Sequence, residues 1–478
     1  MQPSKTTITG HTKNRWIRYN DRIVSECELC PIMSDPSVFS PTRSSRDSIS
    51  NLDYLTPERL RELQWERFEI ILRHAYKNSL WYHAQMEHLC VKPEDIKSFD
   101  DMHKLPFVSK QVLRDTYPFG LFAVPMEKIV RMHASSGTTG KPIVVAHTKE
   151  DLAVWTGGVE RALRSYGVGP GDILQNAYGY GLFTGGLGLH DGGQALGVTV
   201  VPISGGNTER QVMLMRDFGA TVISCTPSYF LHIIDKAKEM EVDLRELPIR
   251  VGVFGAEPWS DEMRQKIELE AGIKAYDIYG LTEICGPGVG AECVHQNGTH
   301  LFEDHFYPEI IDPETLEPLP DGQMGELVFT TLDRFAMPMI RYRTRDLTCL
   351  MTEPCPCGRT IRRMKRIAAR SDDMMIIRGV NVFPSQIEAA LLQVEGAEPH
   401  YQIVLTREFG GLDNIEVRLE VRPEVFSDKV GEIESFQHRI RNMIQQITGI
   451  HAKISLVQPG SIPRSEGKAK RVIDKRVI

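Results

Sequence analysis

A large α/β domain followed by a smaller α+β domain is the fold class that this sequence predicts, on three observations. From about residue 143 onward, short β-rich runs (IVVAH, DILQNAY, VTVVPI, TVISCTP, IRVGVFGAEP) alternate with helical patterns. Such alternation marks helices packed on a largely parallel sheet. Towards the C-terminus the pattern changes: Ile415, Val417, Leu419 and Val421 alternate as in a half-exposed strand, and Val430, Ile433, Ile440, Ile444 and Ile447 follow at helical spacing. The length of 478 residues suits one large and one small core.

In chain order, residues 1–50 read as a poorly ordered arm, with scattered apolar residues and a Ser/Asp/Pro-rich end. Cys27 and Cys30 within it are spaced like half of a zinc site, but no second pair lies nearby, and a peripheral role reads better. The large domain, 51–369, begins at Thr56-Pro57-Glu58, an N-cap with a first-turn proline and an acidic first turn. Leu60, Leu63, Ile70, Ile71 and His74 continue at helical spacing. The basic stretch RRMKRIAAR leads to a joint at 370–373, and 374–478 form the small domain, with a further strand expected over Lys453–Val457.

Composition narrows the function classes. Hydrophobic residues make up 41% and charged residues 25%, as in a globular protein in water. The net charge of -7 offers no basic field for nucleic acid or an anionic membrane surface. No apolar run approaches the ~20 residues of a bilayer span, and the N-terminus lacks the apolar core of a secretory signal. Nine cysteines suggest reduced thiols or metal ligands rather than a disulfide framework, and cytoplasm is the expected compartment.

The first strong motif is Ser135-Ser-Gly-Thr-Thr-Gly-Lys-Pro142. Glycines let backbone N–H groups turn onto an anion, hydroxyls add donors and lysine adds charge. The run is not a Walker A loop, and its density suits a mobile clasp on phosphates better than a plain polar turn. Tyr279-Gly-Leu-Thr-Glu283 follows an expected strand over 275–278 and sets a hydroxyl beside a carboxylate, a combination suited to phosphate and Mg²⁺. Alone it also reads as a strand-to-helix turn. Arg343-Thr-Arg-Asp346, Arg370-Ser-Asp-Asp373 and Arg464-Ser-Glu-Gly-Lys468 are individually weak, since surface Arg/Asp pairs are usually only solvated.

Together and in order, these blocks resemble the adenylate-forming superfamily. HASSGTTGKP, QNAYGYGLFTGGLGLH, FGAEPWS, YGLTEICGPGV, IRYRTRDLT, DDMMIIRGVNVFPSQIE and PRSEGKAKRV resemble, more narrowly, the phenylacetate–CoA ligases over about residues 55–478. The resemblance implies a multi-sheet adenylation domain, a mobile C-terminal domain, and activation of an aryl or arylacetic acid with ATP, Mg²⁺ and CoA. Ser135, Ser136, Gly137, Thr138, Thr139, Gly140 and Lys141 would form the phosphate loop. Gly255, Ala256 and Glu257, with Asp277, Ile278 and Tyr279, would line the adenine pocket. Thr282 would touch phosphate, Glu283 would help hold Mg²⁺, and Asp346 would accept the ribose hydroxyls. Asp372 would be the hinge, Lys468 the cation bridging substrate carboxylate and α-phosphate, and Gly379 a wall of the pantetheine tunnel. Tyr178 and Phe183 would face the substrate ring, although core packing alone would also explain such aromatics. Ala369 and Asp191 depart from the family, which more often has glycine and tyrosine there.

Cys293 and His300 in one segment, and Cys355 and Cys357 in another, complete a Cys₃His set of the kind zinc occupies structurally. Some phenylacetate–CoA ligases share this arrangement; His295 is the competing imidazole. Cys225 and Cys285 read as structural, because adenylation needs no side-chain nucleophile. The expected partners are thus a small carboxylic acid, ATP and CoA, with no nucleic acid and no membrane, and a homodimer is compatible with the sequence. Two rivals remain: an adenylating enzyme with a non-CoA acceptor, and a non-catalytic zinc-binding module.

Overall fold

The computed structural model describes residues 16–19, 22–25, 52–135, 142–371, 373–378, 380–407, 413–421, 430–463 and 471–476. Contacts divide the chain into two units, 1–48 and 49–478. In the first, Trp16–Tyr19 pairs antiparallel with Arg22–Ser25, a hairpin within the stretch expected as a poorly ordered arm. Cys27 and Cys30 lie outside the described residues.

The second unit opens with the helix Pro57–Asn78, whose first turn is capped by Thr56 accepting from the Arg59 N–H. Its buried stripe differs from the one expected. Leu60, Gln64, Phe68, Ile71, Leu72 and Ala75 face inward, whereas Ile70 is exposed. Gln64 is tolerated there because its amide donates to the Glu303 carbonyl at 2.9 Å.

Among the described residues, nine strands form the main sheet. Thr199–Val201, Ile173–Asn176, Val222–Cys225, Val251–Phe254 and Lys274–Leu281 are parallel neighbours in that order. Four of the runs whose alternation with helices was legible lie here, whereas the first, IVVAH, pairs antiparallel with Arg131–Ala134 in a separate hairpin; Val222–Cys225 and Val251–Phe254 are buried throughout, as a helix-covered parallel sheet requires. Gly286–Ala291, Thr299–Leu301, Arg363–Met364 and Leu350–Met351 extend the sheet antiparallel. A five-stranded antiparallel sheet, from Pro318–Leu319 to Ala369–Arg370, completes the multi-sheet large domain. The small α+β domain pairs Ala397–Arg407 antiparallel with Asp413–Val421, adds Lys453–Val457 and Val472–Asp474 in parallel, and covers the sheet with Pro384–Leu392 and Val430–Thr448. Among the described residues, no helix is long and apolar enough to cross a membrane.

A buried ionic knot closes the large domain. Arg161 donates to both oxygens of Asp304, at 2.9 and 3.1 Å, and also bonds Asp53. Asp53 in turn takes Arg359 at 2.9 Å, while its backbone carbonyl accepts from the Thr360 N–H at 2.9 Å. Burial alone would raise the Asp304 carboxyl, but the facing Arg161, His305 and Arg67 outweigh it and hold it well below the usual carboxylate range. A carboxyl with a lowered pKa stabilises the fold above its unfolded pKa of about 4, and that stabilisation fades as pH falls towards the folded value. Asp304→Ala should therefore cost about 3 kcal/mol near neutrality, since it removes one of the two carboxylates that compensate the buried Arg161 guanidinium. In urea unfolding, the gap from the unmodified protein should narrow as the pH is lowered through about 4; a gap independent of pH would contradict the assignment.

Candidate active site

The parallel pairing of Val251–Phe254 with Lys274–Leu281 sets Phe254 opposite Asp277. The segment leaving the first strand, Gly255-Ala256-Glu257, therefore runs beside Asp277-Ile278-Tyr279. Ala256 and Glu257 from the first and Asp277, Ile278 and Tyr279 from the second line one cleft, together with Asp346 from Tyr342–Thr348, Arg366 and Arg370. Carboxyl ends of parallel strands are where open α/β sheets bind ligands. Gly255 is demanded by this approach, because a Cβ there would lie 2.3 Å from the Ile278 carbonyl oxygen. Glu257 Oε1 accepts from the Ser228 N–H at 2.8 Å, in the first turn of the helix Pro227–Glu239, where the helix dipole favours a carboxylate.

Asp346 is held from two sides: Tyr279 donates its hydroxyl at 2.7 Å and Arg370 its guanidinium at 3.0 Å. An ionised carboxylate accepts through both of its oxygens, the chemistry that binding a vicinal diol requires. Burial raises the Asp277 carboxyl, against the opposing pull of Arg366 and Arg264. Glu292, whose carboxylate accepts from the Asp277 N–H at 2.8 Å, is raised by burial as well.

Thr282 and Glu283 sit at the turn between Lys274–Leu281 and Gly286–Ala291, an antiparallel hairpin rather than a strand-to-helix turn. The Thr282 hydroxyl lies 3.3 Å from that of Thr184, at the start of the helix Thr184–Leu196. Glu283 is buried, with the Lys110 ammonium 3.8 Å from its carboxylate, and Arg334 donates to its backbone carbonyl. Ser135 exchanges bonds with Ile143, N–H to carbonyl at 3.0 Å and hydroxyl from N–H at 3.3 Å, at the mouth of the hairpin Arg131–Ala134/Val144–His147. The rest of the expected phosphate loop, Ser136, Gly137, Thr138, Thr139, Gly140 and Lys141, lies outside the described residues, as do Asp372, Gly379 and Lys468.

The two aromatics differ. Tyr178 is buried, and burial, with Cys225, Asp277 and Glu257 nearby, raises its phenol well above the ordinary value. Its ring lies against Gly185, where a Cβ would come within 3.3 Å. Phe183 is 48% exposed, so it is a rim residue rather than a core one. The Ala134 N–H donates to the Leu182 carbonyl at 2.9 Å, tying that rim to the phosphate-loop strand. Asp191 accepts from Arg131 on the same strand at 2.7 Å. Ala369 is buried and pairs with Leu347.

Cys293, His300, Cys355 and Cys357 gather with their ligand atoms all within 4.8 Å of one another. Cys293 Sγ lies 3.6 Å from Cys355 Sγ, and Cys357 Sγ 3.4 Å from His300 Nε2. Strand pairing joins the half-sites, because His300 sits opposite Arg363 on one side and Ala291 on the other. His295 is not in the group. Burial and Arg359 lower the His300 imidazole to about 4, which leaves it neutral near pH 7, the form that ligates metal. The donor set fits zinc.

Lys110, Thr184 and Arg334 were not legible beforehand. Each is a single residue whose role comes from a long-range approach to the Thr282-Glu283 turn, with no motif to mark it.

The AMP-binding enzyme family matches residues 95–332, and the AMP-binding enzyme C-terminal domain matches 379–476. A phenylacetate-coenzyme A ligase of Thermus thermophilus is 50% identical over 439 residues, covering 89% of this chain and 98% of that protein. One of Escherichia coli (strain K12) is 49% identical over 423 residues, covering 88% and 96%. Among solved structures, 2-hydroxyisobutyryl-CoA ligase in the postadenylation state with R3-HIB-AMP superposes at a TM-score of 0.85 and 29% identity, covering 91% of this chain and 94% of that one. The same enzyme in the thioesterification state, with 2-HIB-AMP and CoA, superposes at 0.67, with 30% identity and coverages of 91% and 94%.

The turn carrying Thr282 and Glu283 rests on one close approach: a Cβ on Gly280 would lie 1.7 Å from the Gly286 carbonyl oxygen. Gly280→Ala should force the hairpin apart and cost about 2 kcal/mol or more. Calorimetry reads this directly, and an unchanged melting temperature would refute it.

Proposed function

The chain belongs to the phenylacetate-coenzyme A ligase family of AMP-binding enzymes, and from that membership we infer an AMP-forming ligase joining an aryl or arylacetic acid, phenylacetate first, to CoA. The observation that carries the site assignment is the cleft shared by Ala256, Glu257, Asp277–Tyr279 and Asp346, at the carboxyl ends of parallel strands.

In the first step a substrate carboxylate oxygen attacks the α-phosphorus of ATP, and the bond to the β-phosphate oxygen breaks to release pyrophosphate. In the second, the CoA thiol attacks the acyl carbon; the thioester forms, the acyl–phosphate bond breaks and AMP leaves. Ala256, Glu257, Ile278 and Tyr279 hold the adenine, and Asp346, oriented by Tyr279 and Arg370, accepts the ribose hydroxyls. The loop from Ser135 to Lys141 and the Thr282 hydroxyl hold phosphates. Glu283 is the carboxylate suited to Mg²⁺, which when bound screens phosphate charge. Tyr178 and Phe183 bracket the acid, and Gly379 flanks the pantetheine. Lys468 supplies positive charge where negative charge builds during adenylation, and residues 370–373, with Asp372 as pivot, let the small domain turn. Burial raises the Cys225 and Cys285 thiols, which suits packing rather than covalent catalysis.

AMP release on mixing the protein with phenylacetate, ATP and CoA tests the reading. Release that needs no CoA would favour a different acceptor, and no pyrophosphate exchange with any aryl acid would defeat the reading altogether. Lys468→Ala should abolish adenylation, by about 100-fold or more, while sparing thioester formation from supplied phenylacetyl-adenylate. Equal loss of both steps with folding intact would rule out a step-specific role.

The Cys₃His group is assigned a structural zinc. Protein purified without chelators should carry one zinc per chain by elemental analysis. Replacing Cys355 and Cys357 by serine should release it and lower the melting temperature, while the folded remainder still adenylates. Absence of zinc, or loss of chemistry without loss of stability, would refute the structural assignment.

A further inference from the structure

One face of the large domain carries charged side chains whose partners lie on the small domain. From the helix Asp261–Ala271, Lys266 reaches Glu398 at 3.0 Å, with both side chains largely buried, and Glu262 accepts from Gln393 at 3.3 Å. From the helix Pro227–Glu239, Asp235 lies 3.3 Å from His400 Nε2. Apolar contact is sparse: Leu392 of the small domain packs against the core beneath these two helices. Behind this face lies Arg471, which donates to the Pro399 carbonyl at 3.0 Å, stacks 4.4 Å over the Tyr401 ring and feels the charges of Glu388 and Glu257. Glu257 is a wall of the nucleotide cleft, and Arg471 stands three residues beyond Lys468. Arg471 is thus held by groups of the small domain and senses one charge of the large one, Glu257.

The superpositions give this face a state. One ligase, compared in two states, matches this chain at 0.85 after adenylation and at 0.67 during thioesterification, at nearly equal identity and coverage. The domain arrangement seen here is therefore the one on the adenylation side. Building on the ligase reading, we propose that Lys266–Glu398 and Asp235–His400, seated by Leu392, form a releasable dock that holds the small domain for adenylation and opens before CoA reacts. Lys266, Glu398, Asp235 and His400 are positioning residues on this account. One ion pair, one carboxylate–imidazole contact and a leucine suit that task, because each polar partner regains water when the two bodies separate and little apolar area is given up.

The test reverses and then restores the charge. Glu398→Lys sets two ammonium groups against each other, and the swap Lys266→Glu with Glu398→Lys restores attraction. Pyrophosphate exchange with phenylacetate should fall roughly three- to tenfold in the single variant, while thioester formation from supplied phenylacetyl-adenylate and CoA holds or rises. The swap should recover most of the exchange. Small-angle scattering without substrate should show the single variant more open and the swap closed again. Equal loss of both steps, no change in either, or a swap that fails to restore exchange and compactness would overturn the dock. If the unmodified protein exchanges pyrophosphate with no aryl acid, the ligase reading falls instead, and scattering alone still decides whether these charges hold the domains together.

Discussion

Everything at the candidate site hangs on the strand Lys274–Leu281, which bonds in parallel to Val251–Phe254 on one side and antiparallel to Gly286–Ala291 on the other. The parallel side fixes which backbone segment meets which, and so builds the cleft. The antiparallel side turns the chain back at Thr282 and Glu283. The mixed register is possible only because Gly255 and Gly280 bring no Cβ into the two closest backbone approaches. The strand thus sets the cleft along one flank and the Thr282-Glu283 turn at its tip.

How much of this was legible follows from burial and distance along the chain. The parallel strands announced themselves because strands covered on both faces are β-rich throughout, and the change to alternation over Ile415–Val421 marked the small domain. Gly286–Ala291 gave no such signal, since GPGVGA lacks the residue types that mark strands, and so the Thr282-Glu283 turn read equally well as the start of a helix. Ile70 fell on an apolar spacing but faces water, while Gln64 takes the inward place because one backbone carbonyl receives it. The Cys₃His set was readable by ligand chemistry, yet only the pairing of Thr299–Leu301 with Arg363–Met364 brings its halves together. Lys110 and Arg334 reach the Thr282-Glu283 turn from remote segments that no local pattern connects.

Charge is used in two ways in this chain. Inside the large domain, Arg161 and Arg264 are buried against carboxylates, where losing a partner leaves buried charge less compensated. Across the seam between the domains, Lys266–Glu398 and Asp235–His400 each join one side chain from either side, and water can take over each partner wherever the two separate. Placement, inside one core or across a seam between two, distinguishes the two uses.

The clasp of Asp53 on Arg359 and Thr360 has a mechanical consequence. It pins the start of the large domain to the stretch from which the chain departs for the small one. A pull or twist arriving through the joint at 370–373 must pass the short strands Ala369–Arg370 and Arg363–Met364 and then this clasp before reaching earlier parts of the chain. The clasp works as a strain relief, as on a cable at its socket: force arriving through the joint is taken up before it reaches the cleft of Ala256, Glu257 and Asp277–Tyr279.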